Sequence, residues 1–377
     1  MLPPQPVIVV APRVVHSFEN APVPFTLNAT EEYVIERRTG TVLYEYNSDA
    51  RVQPGSLAKL MTFYLTLDAL SDQRISKDSL VTIGADVAEL ANDPTLSRMR
   101  LMLGQQVTVQ DLLFGMMVHS GCDAAQALAD YVGGNSAKFV SMMNDRARRL
   151  GMNNTNFAKP NGLPVPGEYT TAADMTTLAR AIITQHPEAF IYTSRRSFKF
   201  NRYNQTNTNR LLLLDARVNG LKTGHVREAG FHLVASAETG NLQVISVVLG
   251  APSDSKRISE SYRLIDWTFN TVTTVAPDWH SALPSSIPVQ GGNVAAVTIA
   301  PERSPLFTVA ASDRPYFQFR ADISRSVSAP VQKGQIIGNL IVSRGDQKES
   351  IPVETTSTVD SAATSAAHID EPVAKVQ

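Results

Sequence analysis

Residues 54–70 read Pro-Gly-Ser-Leu-Ala-Lys-Leu-Met-Thr-Phe-Tyr-Leu-Thr-Leu-Asp-Ala-Leu, and this stretch decides the fold. Pro54-Gly55 breaks the chain, and Leu57, Leu60, Met61, Tyr64 and Leu67 then recur at the spacing of one helical face. The reading is a strongly apolar helix beginning at Ser56 and buried in its domain. On its N-terminal side, 33–38 and 41–46 are β-rich runs parted by Thr39-Gly40, which predicts a hairpin. On its C-terminal side, 74–190 reads mostly helical. Thr108 with Asp111 and Thr171 with Asp174 form helix-start signals, Cys122–Val132 reads as a helix, and Ser136 is placed to cap a helix ending near Gly151. The Asn/Pro/Gly-rich stretch 153–169 must be a loop. Strand character returns over 216–223, and 231–238 with 242–249 flank Thr239-Gly240-Asn241 as a second hairpin before a helix over 256–271. Strands, a helical block, strands and a helix, in that order, predict an α+β domain whose antiparallel sheet is assembled from both ends of a helical insertion.

The expected organisation is an N-terminal extension over 1–27, this α+β domain over 28–275, a small all-β domain of sandwich type over 276–353, and a disordered tail over 354–377. The second domain is read from short alternating runs at 294–299, 306–310, 316–321 and 336–342 with close-set turn residues. The tail holds almost no large apolar side chain with which to offset its ordering entropy, and it shows no amphipathic anchor for a membrane surface. The start of the chain lacks the basic region and long apolar run of a secretory leader, so Met1 is expected to be an artificial start to a mature form.

Composition narrows function. The 377 residues carry 34 Lys and Arg against 35 Asp and Glu, a net charge of −1 that argues against nucleic acid as partner. The single cysteine, Cys122, excludes an intrachain disulfide and a Cys-rich zinc site. Seven scattered His without the spacing of a metallopeptidase, and no nucleotide-binding loop, predict neither a metal nor a cofactor.

Three short elements carry the chemistry. In Ser56-Leu57-Ala58-Lys59 the amine lies three residues along from the hydroxyl, on the same helical face. The helix start favours a developing anion, and a desolvated lysine can take the hydroxyl proton. About one Ser-x-x-Lys arises by chance in a chain of this length, and Ser253-Asp254-Ser255-Lys256 is such a decoy. Taken singly, Ser56 reads equally as a helix cap, Ser120-Gly121-Cys122 as an interhelical turn, and Lys222-Thr223-Gly224 as a strand end. Together, their order and contexts follow the Ser-x-x-Lys, Ser-Asp-Asn and Lys-Thr-Gly set of acyl-serine enzymes that react with penicillin, the middle element keeping only its Ser.

The longer strings PGSLAKLMT (54–62), HSGCDAAQALADYVGG (119–134) and VNGLKTGHVREAGFHLVASA (218–237) resemble the D-alanyl-D-alanine carboxypeptidases, the low-molecular-mass penicillin-binding proteins, over about 28–353. The resemblance implies that Ser56 attacks the peptide carbonyl between the terminal D-alanines of a peptidoglycan stem pentapeptide and that Lys59 accepts its proton. It also implies that Ser120 and Lys222 relay protons and orient substrate, and that Thr223 contacts the terminal carboxylate. Gly224 lets the substrate approach, and Arg257 stands at the family position that helps hold that carboxylate, for which a guanidinium fork is suited. The backbone N–H groups of Ser56 and His225 would form the oxyanion hole. β-Lactams would trap Ser56, and the periplasm or cell-wall space, at the outer face of the inner membrane, would be the location.

Two departures are expected to matter. Cys122 stands where the family usually has Asn, and a thiol cannot supply both functions of an amide, so slower turnover or a longer-lived acyl-enzyme is expected. The missing amphipathic tail leaves membrane attachment open. Two other readings compete: a non-catalytic or slow penicillin-binding scaffold, favoured by Cys122, and a β-lactamase, for which Glu168 is the lone carboxylate in the matching loop.

Overall fold

The computed structural model describes residues 23–362 apart from 346. The chain divides into compact units between Thr273 and Thr274. In the first unit a five-stranded sheet runs, in spatial order, Val42–Tyr46, Glu31–Glu36, Leu242–Ala251, Gly230–Thr239, Val218–Val226. Every neighbouring pair is antiparallel, with Val34 opposite Ser246 and Leu221 opposite Ala235. The outer hairpin from early in the chain thus closes against a meander from late in it, and the helical block lies between them in sequence.

One face of the sheet buries Tyr33, Ile35, Val234, Ile245 and Val247 against the helical block. At the centre of that block is the helix Lys59–Ser71, in which ten of thirteen residues are buried. It is enclosed by the helices Val109–Val118, Cys122–Gly133, Ser136–Arg149 and Ala172–Gln185, so no side of it needs to be polar. The other face, including Val34, Val244 and Val248, is covered by Asp254–Thr271 through Leu264.

Side-chain caps fix the helix starts. Thr108 accepts from the Asp111 N–H at 3.1 Å and Thr171 from the Asp174 N–H at 3.1 Å. The helix Ser136–Arg149 is capped differently from the expectation: Asn135 accepts from the Lys138 N–H at 2.9 Å, and Ser136 is its first helical residue. Ser253, the serine of the decoy Ser-x-x-Lys, accepts from the Lys256 N–H at 3.2 Å. There the Ser-to-Lys spacing serves capping alone.

Two expectations need correction, one hairpin goes unannounced and part of the extension is ordered. Between 74 and 108 the chain is not mainly helical: only Ala85–Asn92 is an α-helix, flanked by the paired strands Leu80–Thr82 and Gln106–Thr108. The hairpin Ser197–Phe200 with Tyr203–Thr206 is not announced by the sequence, because Asn201 makes its turn at φ +52° without glycine. Within the expected extension, residues 23–27 are packed: Arg263 lies 4.2 Å over the Phe25 ring and donates to the Thr26 carbonyl at 3.2 Å. The tail does not begin at 354, since Gln347–Thr355 is a strand and Val359, 2% exposed, bridges to Val331. The rest of the expected extension and tail, 1–22 and 363–377, lies outside the described residues.

In the second unit six strands form one sheet, in the order Gln318–Ile323, Ile336–Arg344, Gln347–Thr355, Ala296–Pro301, Ser286–Gln290, Val327–Ser328. Phe307 and Val309 of the strand Phe307–Ala310 pack onto the same core as Leu340, Val342 and Val353.

Candidate active site

Ser56 lies in a short 3₁₀ turn, Gly55–Ala58, that runs directly into the central helix at Lys59. The turn can sit beside the end of the Val218–Val226 strand because Gly224 has no side chain: a Cβ there would stand 2.9 Å from the Pro54 carbonyl oxygen and 3.0 Å from Leu57 Cγ. The first and third sequence elements therefore meet through a glycine.

Lys59 is completely buried. Three partners surround its Nζ: Ser56 Oγ at 3.0 Å, the Asn161 carbonyl oxygen at 2.5 Å and Cys122 Sγ at 3.5 Å. Ser56 and Cys122, from the first and second elements, thus share one amine. Asn161 escapes sequence reasoning, since it acts through a backbone carbonyl in the 153–169 loop and only the Asn-Gly turn at 161–162 marks its place. That loop is fastened further by Thr62 Oγ1, which donates to the Pro160 carbonyl at 2.7 Å.

Ser120 has a left-handed backbone, φ +64°, which is uncommon for a non-glycine residue. This conformation holds its hydroxyl where the Lys222 amine donates to Oγ at 2.9 Å. Lys222, 1% exposed, also donates to the Thr223 carbonyl at 2.9 Å. Burial, and then the positive charges of Lys59 and Arg257, push the Lys222 amine well below its usual range, with Cys122 acting in the opposite sense. The Thr223 hydroxyl pairs with that of Thr208 at 2.7 Å.

Arg257 is buried on the far side of Gly224. Its guanidinium donates to the Gly224 carbonyl at 2.7 Å and the His232 carbonyl at 3.2 Å and pairs with Asp254 at 2.5 Å. Both of its terminal nitrogens are therefore occupied by protein groups, its Nε has no hydrogen-bond partner among the described residues, and the side chain holds the strand end that carries Thr223 and Gly224. His225 is exposed, with its ring stacked on Phe231 at 4.1 Å.

Three further residues complete the surroundings, and two of them leave no signal in the sequence. Asp123, fully buried after Cys122, accepts from the N–H groups of Met99, Arg100 and Ala124 at 2.9 Å each and of Leu101 at 3.3 Å. It fastens the 99–101 segment to the Ser120 turn. His232 is fully buried, accepts at Nδ1 from the Gly250 N–H at 3.0 Å and donates at Nε2 to the Gln53 carbonyl at 3.1 Å. Those partners fix a neutral tautomer, and burial lowers its pKa to about 4. Glu168, the carboxylate of the β-lactamase reading, is 3% exposed, and its Oε1 accepts from the Ala158 N–H at 3.4 Å. Burial lifts it to about 7 against the opposing hydrogen bonds and lysines.

The arrangement is two hydroxyl–amine pairs, Ser56 with Lys59 and Ser120 with Lys222, in which both amines and the Ser120 side chain are buried and Ser56 is half-buried. One pair suits nucleophilic attack with proton removal, and the other suits proton delivery on the far side of the same carbonyl.

Comparison with known proteins shows what the whole chain is similar to. A family profile described as D-alanyl-D-alanine carboxypeptidase matches residues 17–253. The chain is 38% identical over 330 residues to the Escherichia coli D-alanyl-D-alanine carboxypeptidase DacC, covering 84% of this chain and 80% of that one. The solved structure of penicillin-binding protein 5 from Haemophilus influenzae superposes with a TM-score of 0.77 at 34% identity, over 89% of this chain and 99% of the other. Penicillin-binding protein D2 from Listeria monocytogenes in its cefotaxime-bound form superposes with a TM-score of 0.59 at 32% identity, over 64% of this chain and 97% of that one.

Proposed function

The chain belongs to the D-alanyl-D-alanine carboxypeptidase family, and from that premise we propose how its own residues carry out the reaction. It is a serine-type hydrolase that removes the terminal D-alanine from peptidoglycan peptides, and β-lactams bind it. The observation that carries the residue assignment is the 3.0 Å contact from Lys59 Nζ to Ser56 Oγ, beside the 2.9 Å contact from Lys222 Nζ to Ser120 Oγ.

Ser56 Oγ attacks the carbonyl of the D-Ala–D-Ala bond as its proton passes to the Lys59 amine. The N–H groups of Ser56 and His225 receive the oxyanion. Collapse breaks the C–N bond, and the leaving D-alanine nitrogen takes a proton through Ser120 and Lys222. The acyl-enzyme on Ser56 then yields to water, which regenerates the hydroxyl and frees the shortened peptide. The Thr223 hydroxyl receives the substrate's terminal carboxylate beside Gly224. Arg257 adds positive charge behind that pocket and braces it, since its Nη1 is held by the Gly224 and His232 carbonyls and its Nη2 by Asp254. Cys122 lies on Lys59, where it perturbs proton transfer more than it grips substrate. Stem peptides lie outside the inner membrane, so this reading puts the working enzyme in the periplasm or cell-wall space. Among the described residues no helix is long and apolar enough to cross a membrane.

The test is D-alanine release from a peptide ending in D-Ala-D-Ala, followed for the unmodified enzyme, Ser56→Ala and Lys59→Met. The expected result is release by the first alone. Release by Ser56→Ala at an undiminished rate would refute the assignment.

A further inference from the structure

From 189 to 214 the chain carries five basic residues, Arg195, Arg196, Lys199, Arg202 and Arg210, and no acidic one. Such segregation stands out in a chain of net charge −1. Arg210 is paired with Asp254, but among the described residues no carboxylate is paired with Arg202. Arg202 lies at the tip of the hairpin Ser197–Thr206, with its guanidinium 5.2 Å over the Tyr203 ring and donating to the Tyr203 hydroxyl at 3.1 Å.

A second guanidinium shares that ring. Arg100 lies 4.6 Å over it and likewise lacks a carboxylate partner among the described residues. Two exposed cations gathered on one aromatic side chain repel each other, and the arrangement persists only if something fixes it or an anion relieves it. Arg100 is fixed. Its backbone is left-handed, φ +67°, a strained state for a residue with a side chain. The buried Asp123 carboxylate enforces that state through the N–H groups of 99, 100 and 101.

Both halves of the pair are tied to the catalytic elements. Asp123 directly follows Cys122. The strand that starts at Tyr203 leads to Thr208, whose hydroxyl bonds Thr223 and whose N–H donates to the Val118 carbonyl at 3.1 Å. The leaving-side carboxylate already has its place at Thr223 in the proposed reaction. A second anion would have to come from the acyl side.

We propose that Arg100 and Arg202, sharing the Tyr203 ring, form a subsite for a second carboxylate of the substrate, borne on the acyl side of the scissile bond. This rests on the DD-carboxypeptidase reading above. The subsite selects acidic stem peptides over their amidated counterparts, and it does so at binding.

The experiment compares two peptides ending in D-Ala-D-Ala that differ only in one acyl-side group, a free carboxylate in one and its amide in the other. D-alanine release is measured at low and at high salt. For the unmodified enzyme the free acid is expected to show a kcat/KM about tenfold higher at low salt, carried by KM and shrinking as salt screens the pair. The Arg100→Gln, Arg202→Gln double variant brings the ratio close to one. Arg202→Gln alone, at an exposed hairpin tip, lowers it part of the way and serves where the double variant is unfolded by circular dichroism. A ratio near one in the unmodified enzyme, or an unaltered ratio in the variants, overturns the subsite while leaving D-alanine release intact. Failure of the unmodified enzyme to cleave either peptide overturns the underlying activity and the subsite with it. If the variants keep the ratio but lose binding to phosphatidylglycerol vesicles, the cations serve a lipid surface and the proposal falls.

Discussion

Gly162 offers the sharpest perturbation of the site that leaves every catalytic side chain in place. Its φ is +68°, and a Cβ added there would lie 1.9 Å from the Gly55 carbonyl oxygen, next to Ser56. Real contacts of this kind do not fall below 3.0 Å, so Gly162→Ala must part the 159–163 loop from the Ser56 turn by about 1.1 Å. The loop carries the Asn161 carbonyl that accepts from Lys59 and the Pro160 carbonyl that accepts from Thr62. A displacement near 1 Å at a reacting constellation costs on the order of 10²-fold in rate. The left-handed conformation alone costs an alanine about 1 kcal/mol. The control Gly151→Ala isolates that cost, because Gly151 has φ +78° and a Cβ added there would meet no atom within 4 Å. The assay is the second-order rate of acylation by a fluorescent penicillin, with thermal melts of both variants. Gly151→Ala is expected to acylate like the unmodified enzyme, and Gly162→Ala about a hundredfold more slowly at a comparable melting temperature. If the two alanine variants acylate within about threefold of each other, the loop does not position Lys59 and the reasoning fails.

Three further outcomes follow from buried polar groups. Glu32 is fully buried, and desolvation, with the charge of Glu260, lifts it from 4.5 to about 8 despite the Tyr44 hydroxyl. The folded state then holds a proton that the unfolded chain releases, so stability falls as pH rises from about 4.5 to about 8. Glu32→Gln should remove that slope and raise stability at pH 7 by about 3 kcal/mol in urea titrations; an unchanged pH profile would count against it. Asp123→Asn leaves at least two of four backbone N–H groups without an acceptor, because one carboxylate oxygen becomes a donor. A loss of about 2–4 kcal/mol is expected on chemical denaturation, together with weaker discrimination between the acidic and amidated peptides. Cys122→Asn puts a full donor and acceptor beside Lys59 in place of a weak thiol, and the acyl-enzyme lifetime, read by intact mass over time, should shorten. Equal lifetimes would remove Cys122 from the account.

What can be read from sequence is what local chemistry dictates. Thr108, Thr171 and the Gly240 hairpin announce their elements because cap and turn residues act within a few positions. The active-site order is legible because three short motifs each carry a hydroxyl or an amine. Pairing of Ser56 with Lys59 follows from helical spacing, whereas pairing of Lys222 with Ser120 spans 102 residues and depends on the whole sheet. Asn161 and Asp123 escape notice for a related reason. The first works through a backbone carbonyl, and the second through N–H groups more than 20 residues upstream, so neither leaves a side-chain pattern. Arg257 reads in sequence as a free fork for substrate, yet Asp254, three residues earlier, and two carbonyls already engage it. The strand ending at Thr355 and the buried Val359 look like tail because small polar residues surround them, and the partner of Val359 lies more than 20 positions away.

The most direct test of the central claim is to locate the covalent bond. The protein is mixed with a labelled penicillin, digested and sequenced by mass spectrometry, with Ser56→Ala in parallel. One adduct, on Ser56 in the peptide containing Lys59 and absent from the variant, is the result this account requires. An adduct on any other residue, or none after prolonged incubation of folded protein, would contradict it.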